Sequence, residues 1–224
     1  EIPVYWTIDW ANADTYKNAE RQLNDMITRD RNRCAIIIWS IANETPHGDA
    51  RDKFLTNLSK YARQMDNTRL ISMAMEVSST GKDFKRVTDN LNEYVDVISF
   101  NQYHGWYVGT NESARVTRWE VPYDKPVIVS EFGGSALQGM NGDVNRKFTE
   151  EYQEELYIRN LEMLSKIDGL SGLSPWILVD FYSPRRQLPG IQDFFNRKGL
   201  ISNHGVKKKA FFVLRNFYDE KSKE

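Results

Sequence analysis

The sequence predicts an α/β fold of the (β/α)8 barrel kind, present as an incomplete barrel lacking its first strands. Three observations lead there. Short, almost unbroken apolar runs alternate with longer helical patterns, which suits parallel strands buried on both faces. Several of these runs end on polar, reactive residues, as barrel strands do at their C-terminal mouth. The chain has no Gly-rich dinucleotide loop and no Walker motif, the features an open doubly wound sheet would place after an early strand.

Taken in order, "IPVYW" at the start reads as the tail of a strand. A helical pattern covers Ala19–Asn32, followed by a strand over Ala35–Ile41 that runs into Asn43-Glu44. The pattern Arg51–Asp66 carries an apolar stripe of Phe54, Leu55, Leu58, Tyr61, Ala62 and Met65 at helical spacing. Strands follow at Arg69–Met75, at Asp96–Tyr103 (ending in Asn101-Gln102-Tyr103) and at Pro126–Phe132 (carrying Glu131). A long helix over Thr149–Asp168 precedes a last strand, Gly172–Phe181, with Asp180 at its tip. The closing helix, Val206–Lys221, would start on an exposed basic cluster, Lys207 to Lys209. Five clear strands and part of a sixth are too few for a barrel of eight, which takes about 250 residues, so the opening strands are expected to lie outside this chain.

Composition removes several function classes. With 224 residues, 40% hydrophobic, and six tryptophans, the chain can bury a large core. A formal net charge of −1 gives no reason to expect nucleic acid or an anionic membrane as partner. Cys34 is the only cysteine, which excludes an internal disulfide and a Cys-based zinc site and suits cytosol and periplasm equally. No apolar run reaches membrane-spanning length.

Glu44 and Glu131 each follow an apolar strand, and in a barrel two such ends converge. Paired carboxylates there point to glycoside hydrolysis by a general acid and a nucleophile. The acid needs its pKa raised by apolar surroundings or a neighbouring anion, whereas the nucleophile must stay ionised. A separation of about 5–5.5 Å would make the enzyme retaining, roughly 6.5–9.5 Å inverting. The bland reading makes Glu44 a helix-entry acid and Glu131 a turn residue before Gly133-Gly134. His47, His104 and His204 show no metal-ligand spacing, and no G-x-S-x-G supports a serine nucleophile.

The motifs "WSIANE", "NQYHGWY", "PVIVSEFGG", "SPWILVDF" and "NRKGLISNHGVKKKAFFVLRNFY" occur in that order from Trp39 to Tyr218. Together they resemble glycoside hydrolase family 2, the β-galactosidase and β-glucuronidase family. The resemblance implies that residues 1–224 are the C-terminal portion of a TIM-barrel catalytic domain, without the N-terminal β-sandwich domains and first barrel strands. It implies Glu44 as acid/base, Glu131 as nucleophile, and Asn43 as hydrogen-bonding partner of the sugar 2-hydroxyl. Tyr103 would orient Glu131, Asn101 and Tyr107 would line the pocket, and Trp176 would form a sugar platform. Trp106 divides evenly between platform and core packing.

The resemblance further implies that Asn196 and Lys198, in "NRKG", bind a substrate carboxylate, as an Asn-x-Lys pair does in β-glucuronidases. This chain departs from those enzymes at Gln192, where they carry an arginine. The expected activity is a retaining exo-β-glycosidase acting on terminal β-linked sugars, β-glucuronidase first. The alternatives are a β-galactosidase or another neutral-sugar enzyme of the family, an endo-glycanase, and, in another class, a non-catalytic carbohydrate-binding barrel. No organic cofactor or metal is implied. The expected partners are a carbohydrate, the absent N-terminal domains and, as is common in the family, further copies in a dimer or tetramer. By itself this segment is expected to be inactive.

Overall fold

A computed structural model describes residues 1–79 and 81–223, in two compact units. The first comprises Glu1–Asn101, Trp119–Ser130 and Asp168–Gly172; the second comprises Gln102–Arg118, Glu131–Ile167 and Leu173–Glu224.

The first unit opens with helix α1 (Ala13–Asp30), strand β1 (Ile38–Asn43), helix α2 (Asp49–Met65) and strand β2 (Leu70–Met75). Strands β3 (Val77–Ser79), β4 (Phe84–Val87), β5 (Val97–Asn101), β6 (Arg118–Glu120), β7 (Val127–Glu131) and β8 (Leu170–Leu173) complete it, except that the first residue of β6 and the last residues of β7 and β8 fall in the second unit. The central sheet has five strands in the order β1-β2-β5-β7-β8, with β1–β2 and β2–β5 paired parallel. It is not closed into a barrel among the described residues, which agrees with an incomplete one. Every residue of β5 and all but the first of β2 are buried, as strands covered on both faces require. The opening segment lies along β1 as a strand tail should: Ile2 N–H reaches Ser40 O, Asn43 N–H reaches Val4 O, and Tyr5 makes a parallel bridge to Asn43.

Helix α1 starts six residues earlier than periodicity suggests, because the Asn12 side chain accepts from the N–H groups of Asp14 (2.8 Å) and Thr15 (3.4 Å) and so caps the first turn. Helix α2 buries Phe54, Leu55, Leu58 and Ala62 of the predicted stripe, with Tyr61 and Met65 at its half-buried margin. The first strand is shifted from its predicted place. Ala35–Ile37 precede β1, and Ile37 is 69% exposed, so the apolar run begins before the ladder does. A second, three-stranded sheet, β3-β4-β6, is built from segments too short to show a period.

The predicted strand Gly172–Phe181 is corrected. Strand β8 ends at Leu173, and Pro175 follows, a residue with no N–H to give to a ladder. Beyond it, backbone N–H groups bond individually: Trp176 to Phe132 O (2.9 Å), Ile177 to Lys198 O (3.3 Å), Asp180 to Ile201 O (2.9 Å). Asp180 is therefore buried in an irregular segment and is not a strand tip. The Trp176–Ile177 peptide bond is cis.

In the second unit, helix α3 (Glu150–Leu164) is capped by the Thr149 hydroxyl, which accepts from Tyr152 N–H at 3.1 Å. Helix α3 packs against α4 (Lys209–Lys221), and a short antiparallel pair joins β9 (Phe181–Tyr182) to β10 (Phe195–Asn196). The basic cluster is not a uniformly exposed helix start. Lys207 is exposed and lies before α4, whereas Lys208 is wholly buried. Its ammonium donates to Ala136 O (2.6 Å), Asp180 Oδ1 (2.8 Å) and Arg197 O (3.1 Å). No helix among the described residues is long and apolar enough to cross a membrane.

Candidate active site

The candidate residues fall into two clusters, one in each unit. In the first, Asn43 is the last residue of β1 and Glu44 the next, its N–H bonded to Ala74 O at 2.9 Å. Glu44 has φ 48°, in the left-handed region that non-glycine residues seldom occupy. Strained backbone of this kind collects at functional sites. Asn101, buried at the end of β5, donates from Nδ2 to Asn43 Oδ1 at 2.7 Å. The Ser130 hydroxyl in turn donates to Asn101 Oδ1 at 2.8 Å. This chain of donors fixes the amide of Asn43 with its oxygen inward, leaving its NH2 as the group it can offer a ligand.

In the second cluster, Glu131 is the last residue of β7, and Tyr103 Oη donates to its Oε2 at 2.5 Å. The rings of Tyr103 and Tyr107 meet edge-on, with centroids 5.1 Å apart. Lys198 is buried to 2% exposure beneath these rings. Its Nζ donates to Tyr107 Oη at 2.7 Å and faces the rings of Tyr107 (4.7 Å), Tyr103 (5.4 Å) and Trp106 (5.8 Å). Cation–π attraction of this kind offsets part of what the ammonium loses on leaving water. Burial still pulls the Lys198 amine below its ordinary value, with the phenol of Tyr107 and the charge of Glu131 resisting and Arg186 adding to the fall. On Tyr107 burial acts upward, but the bonds and charges of Lys198 and Arg186 outweigh it and the phenol is lowered.

Asn196, buried in β10, accepts from Lys198 N–H at 3.1 Å, so its oxygen shapes the loop and its amide nitrogen is the donor it can present. Trp176 is half-buried, its ring 6.2 Å from Phe181 and nearly perpendicular to it. Trp106 is buried at 8% exposure, edge-on to Phe148 at 5.1 Å, which makes it chiefly a packing residue. Thus Tyr103, Tyr107, Glu131, Asn196 and Lys198 come together in one unit, and Asn43, Glu44 and Asn101 in the other.

Sequence reasoning missed three contributors. Ser130 anchors Asn101, and only its place just before Glu131 hinted at that. Arg186 donates to Tyr107 Oη at 3.2 Å from a long loop, a contact no local pattern announces. The Lys208–Asp180 pair supports the backbone of Arg197, next to Lys198.

A family model described as "Glycosyl hydrolases family 2, TIM barrel domain" matches residues 3–219. The chain belongs to glycosyl hydrolase family 2. Among its family 2 relatives, the β-glucuronidase of Paenibacillus borealis is 31% identical over 224 residues, covering 96% of this chain and 36% of that protein. The human β-glucuronidase is 29% identical over 211 residues, covering 88% of this chain and 30% of that one. The solved β-D-glucuronidase of Dictyoglomus thermophilum superposes with a TM-score of 0.71 at 26% identity, over 92% of this chain and 36% of that one. A family 2 β-galacturonidase from Eisenbergiella tayi, at 23% identity and a TM-score of 0.78, shares the fold over 97% of this chain and 39% of its own. The chain therefore spans about a third of the length of the relatives it matches.

Proposed function

We propose that the protein acts as a retaining exo-β-glycosidase and that its substrate is a β-glucuronide. Glu131 attacks the anomeric carbon while Glu44 protonates the departing glycosidic oxygen, giving a glycosyl-enzyme and a free alcohol. Glu44, now a carboxylate, takes a proton from water, which attacks the same carbon and releases Glu131 and the sugar with its anomeric configuration retained. Tyr103 aims Glu131 by donating to its Oε2. The amide NH2 of Asn43 meets the sugar 2-hydroxyl, where hydrogen bonds strengthen in the transition state. Trp176 offers a flat apolar face to the sugar's C–H groups.

The observation that carries the substrate class is Lys198, a buried ammonium in the same cluster as Glu131, on an Asn-x-Lys-Gly loop. Burying a cation is costly unless something anionic repays it, and a uronic acid carries a fixed carboxylate suited to charge-assisted bonds. The Paenibacillus borealis and human relatives are β-glucuronidases, in keeping with this reading. A β-galactosidase remains the second reading, because Lys198 already has a partner in Tyr107 Oη that a neutral sugar would leave in place. A non-catalytic binding barrel is the third, opposed by glutamates at both reactive positions.

Parallel turnover of aryl β-D-glucuronide and aryl β-D-galactoside, with protein from the complete reading frame, tests the substrate class. Activity confined to the glucuronide is expected. Activity on the galactoside alone would leave the two-glutamate mechanism and remove the uronide. Glu131→Ala is expected to abolish turnover while sugar binding persists; a binding barrel would have no turnover to lose.

A further inference from the structure

The loop between β9 and β10 carries Arg185 and Arg186. Arg186 Nη2 donates to Tyr107 Oη at 3.2 Å, the same oxygen that accepts from Lys198 Nζ at 2.7 Å. Both lone pairs of that phenol oxygen are taken by cations, so its proton is what Tyr107 has left to give a ligand. The two nitrogens stand within about 6 Å of each other, a gap that a carboxylate accepting one charge-assisted bond from each can bridge.

Two like charges held this close repel, and the ring faces around Lys198 attract cations without neutralising them. Glu131 opposes the charge of Lys198, one anion against the two cations that meet at Tyr107. Arg197, next in sequence to Lys198, is turned away: its guanidinium donates to Ile191 O (3.1 Å) and Asn203 Oδ1 (2.7 Å) and lies 4.8 Å from the Phe195 ring. Arg186, half-buried, is thus the second cation presented to Tyr107.

We infer that Arg186 and Lys198 receive the carboxylate of the uronic acid between them, with the Tyr107 hydroxyl as a third donor. This makes Arg186 a specificity-determining residue, and it rests on the glucuronidase reading above. It also accounts for Gln192: the second cation that the family resemblance places there comes instead from Arg186, six residues earlier.

The test compares an aryl β-D-glucuronide with its methyl ester, which lacks the charge and adds one methyl group, using protein from the complete reading frame. The wild type is expected to prefer the acid in kcat/KM. In Arg186→Gln that preference falls by about 10- to 100-fold, through KM for the acid, while turnover of the ester stays within about threefold of wild type. Arg186→Lys restores part of the preference, and Arg185→Gln leaves it unchanged. Should Arg186→Gln not fold, Arg186→Leu keeps the apolar stem and is read by the same ratio. A wild-type acid-to-ester preference in the charge-deleted variant, or equal loss on both substrates, overturns the role of Arg186. A wild type that does not prefer the acid overturns the glucuronidase reading itself.

Discussion

Tyr103 holds Oε2 of Glu131 at 2.5 Å, and a phenol at that distance does two things to a carboxylate proposed as the nucleophile. It offers the carboxylate's charge a donor, and it restricts the rotation of the side chain. Both effects belong to the reacting state and not to substrate affinity. Tyr103→Phe, which keeps the ring over Lys198 and removes only the donor, is therefore expected to lower kcat by about 10²–10³ with little change in KM. Steady-state kinetics on an aryl glycoside check this; a KM increase at unchanged kcat would make Tyr103 a binding residue. Glu44 presents a different physical signature, a strand-end carboxylate on a left-handed backbone at φ 48°. A residue of ordinary φ would carry that side chain in another direction, so the strain is tied to where the carboxylate is delivered.

At the scale of elements, the turn between α2 and β2 is held by one side chain. Asp66 accepts from Thr68 N–H (2.8 Å), Thr68 Oγ1 (2.6 Å), Trp39 Nε1 (3.0 Å) and Arg69 Nη1 (2.8 Å). Burial alone would raise its pKa, but these donors outweigh it and hold the carboxyl well below the usual range. A depressed folded value means stability that is fully present above the unfolded carboxylate value, about 3.9, and is lost as pH falls below it towards the folded one. Asp66→Asn is expected to cost about 1.5–3 kcal/mol at pH 7 and to flatten the loss of stability below pH ~4, read from urea melts across pH. An equal acid slope in the variant would assign acid unfolding to other carboxylates. In the second unit, Lys208 ties α4 to Ala136, Asp180 and the loop before Lys198. Lys208→Met leaves Asp180 buried without its main partner, an expected loss of about 3–5 kcal/mol, and Lys208→Met/Asp180→Leu should regain most of it. No recovery in the double variant would show that the pair's value lies in its backbone bonds.

These elements also show what the sequence could reveal. Strands β2 and β5 were legible because burial on both faces demands apolar residues throughout, and their polar ends stood out against that background. The same contrast singles out Asn43, Glu44 and Glu131 as candidates, at or just after the ends of β1 and β7. "GLSPWILVDF" misled because it is as apolar as a strand while Pro175 takes it out of the ladder. Lys208 was hidden because helical periodicity carries no information before α4 begins at Lys209. Arg186 meets Tyr107 across 79 residues of sequence, a tertiary contact that no local pattern encodes.

For the molecule as a whole, a family 2 chain that spans about a third of its relatives' length carries both candidate glutamates at strand ends, Glu44 just after β1 and Glu131 closing β7. In the proposed mechanism Glu131 forms a covalent bond to the sugar while Glu44 exchanges protons. The most direct measurement is trapping with an activated 2-deoxy-2-fluoro-β-glucuronide, followed by peptide mapping by mass spectrometry of protein from the complete reading frame. The expected result is a single glycosyl adduct on Glu131, formed as activity is lost, and still formed in Glu44→Gln. An adduct on another residue, or inactivation with no covalent sugar, would contradict the account.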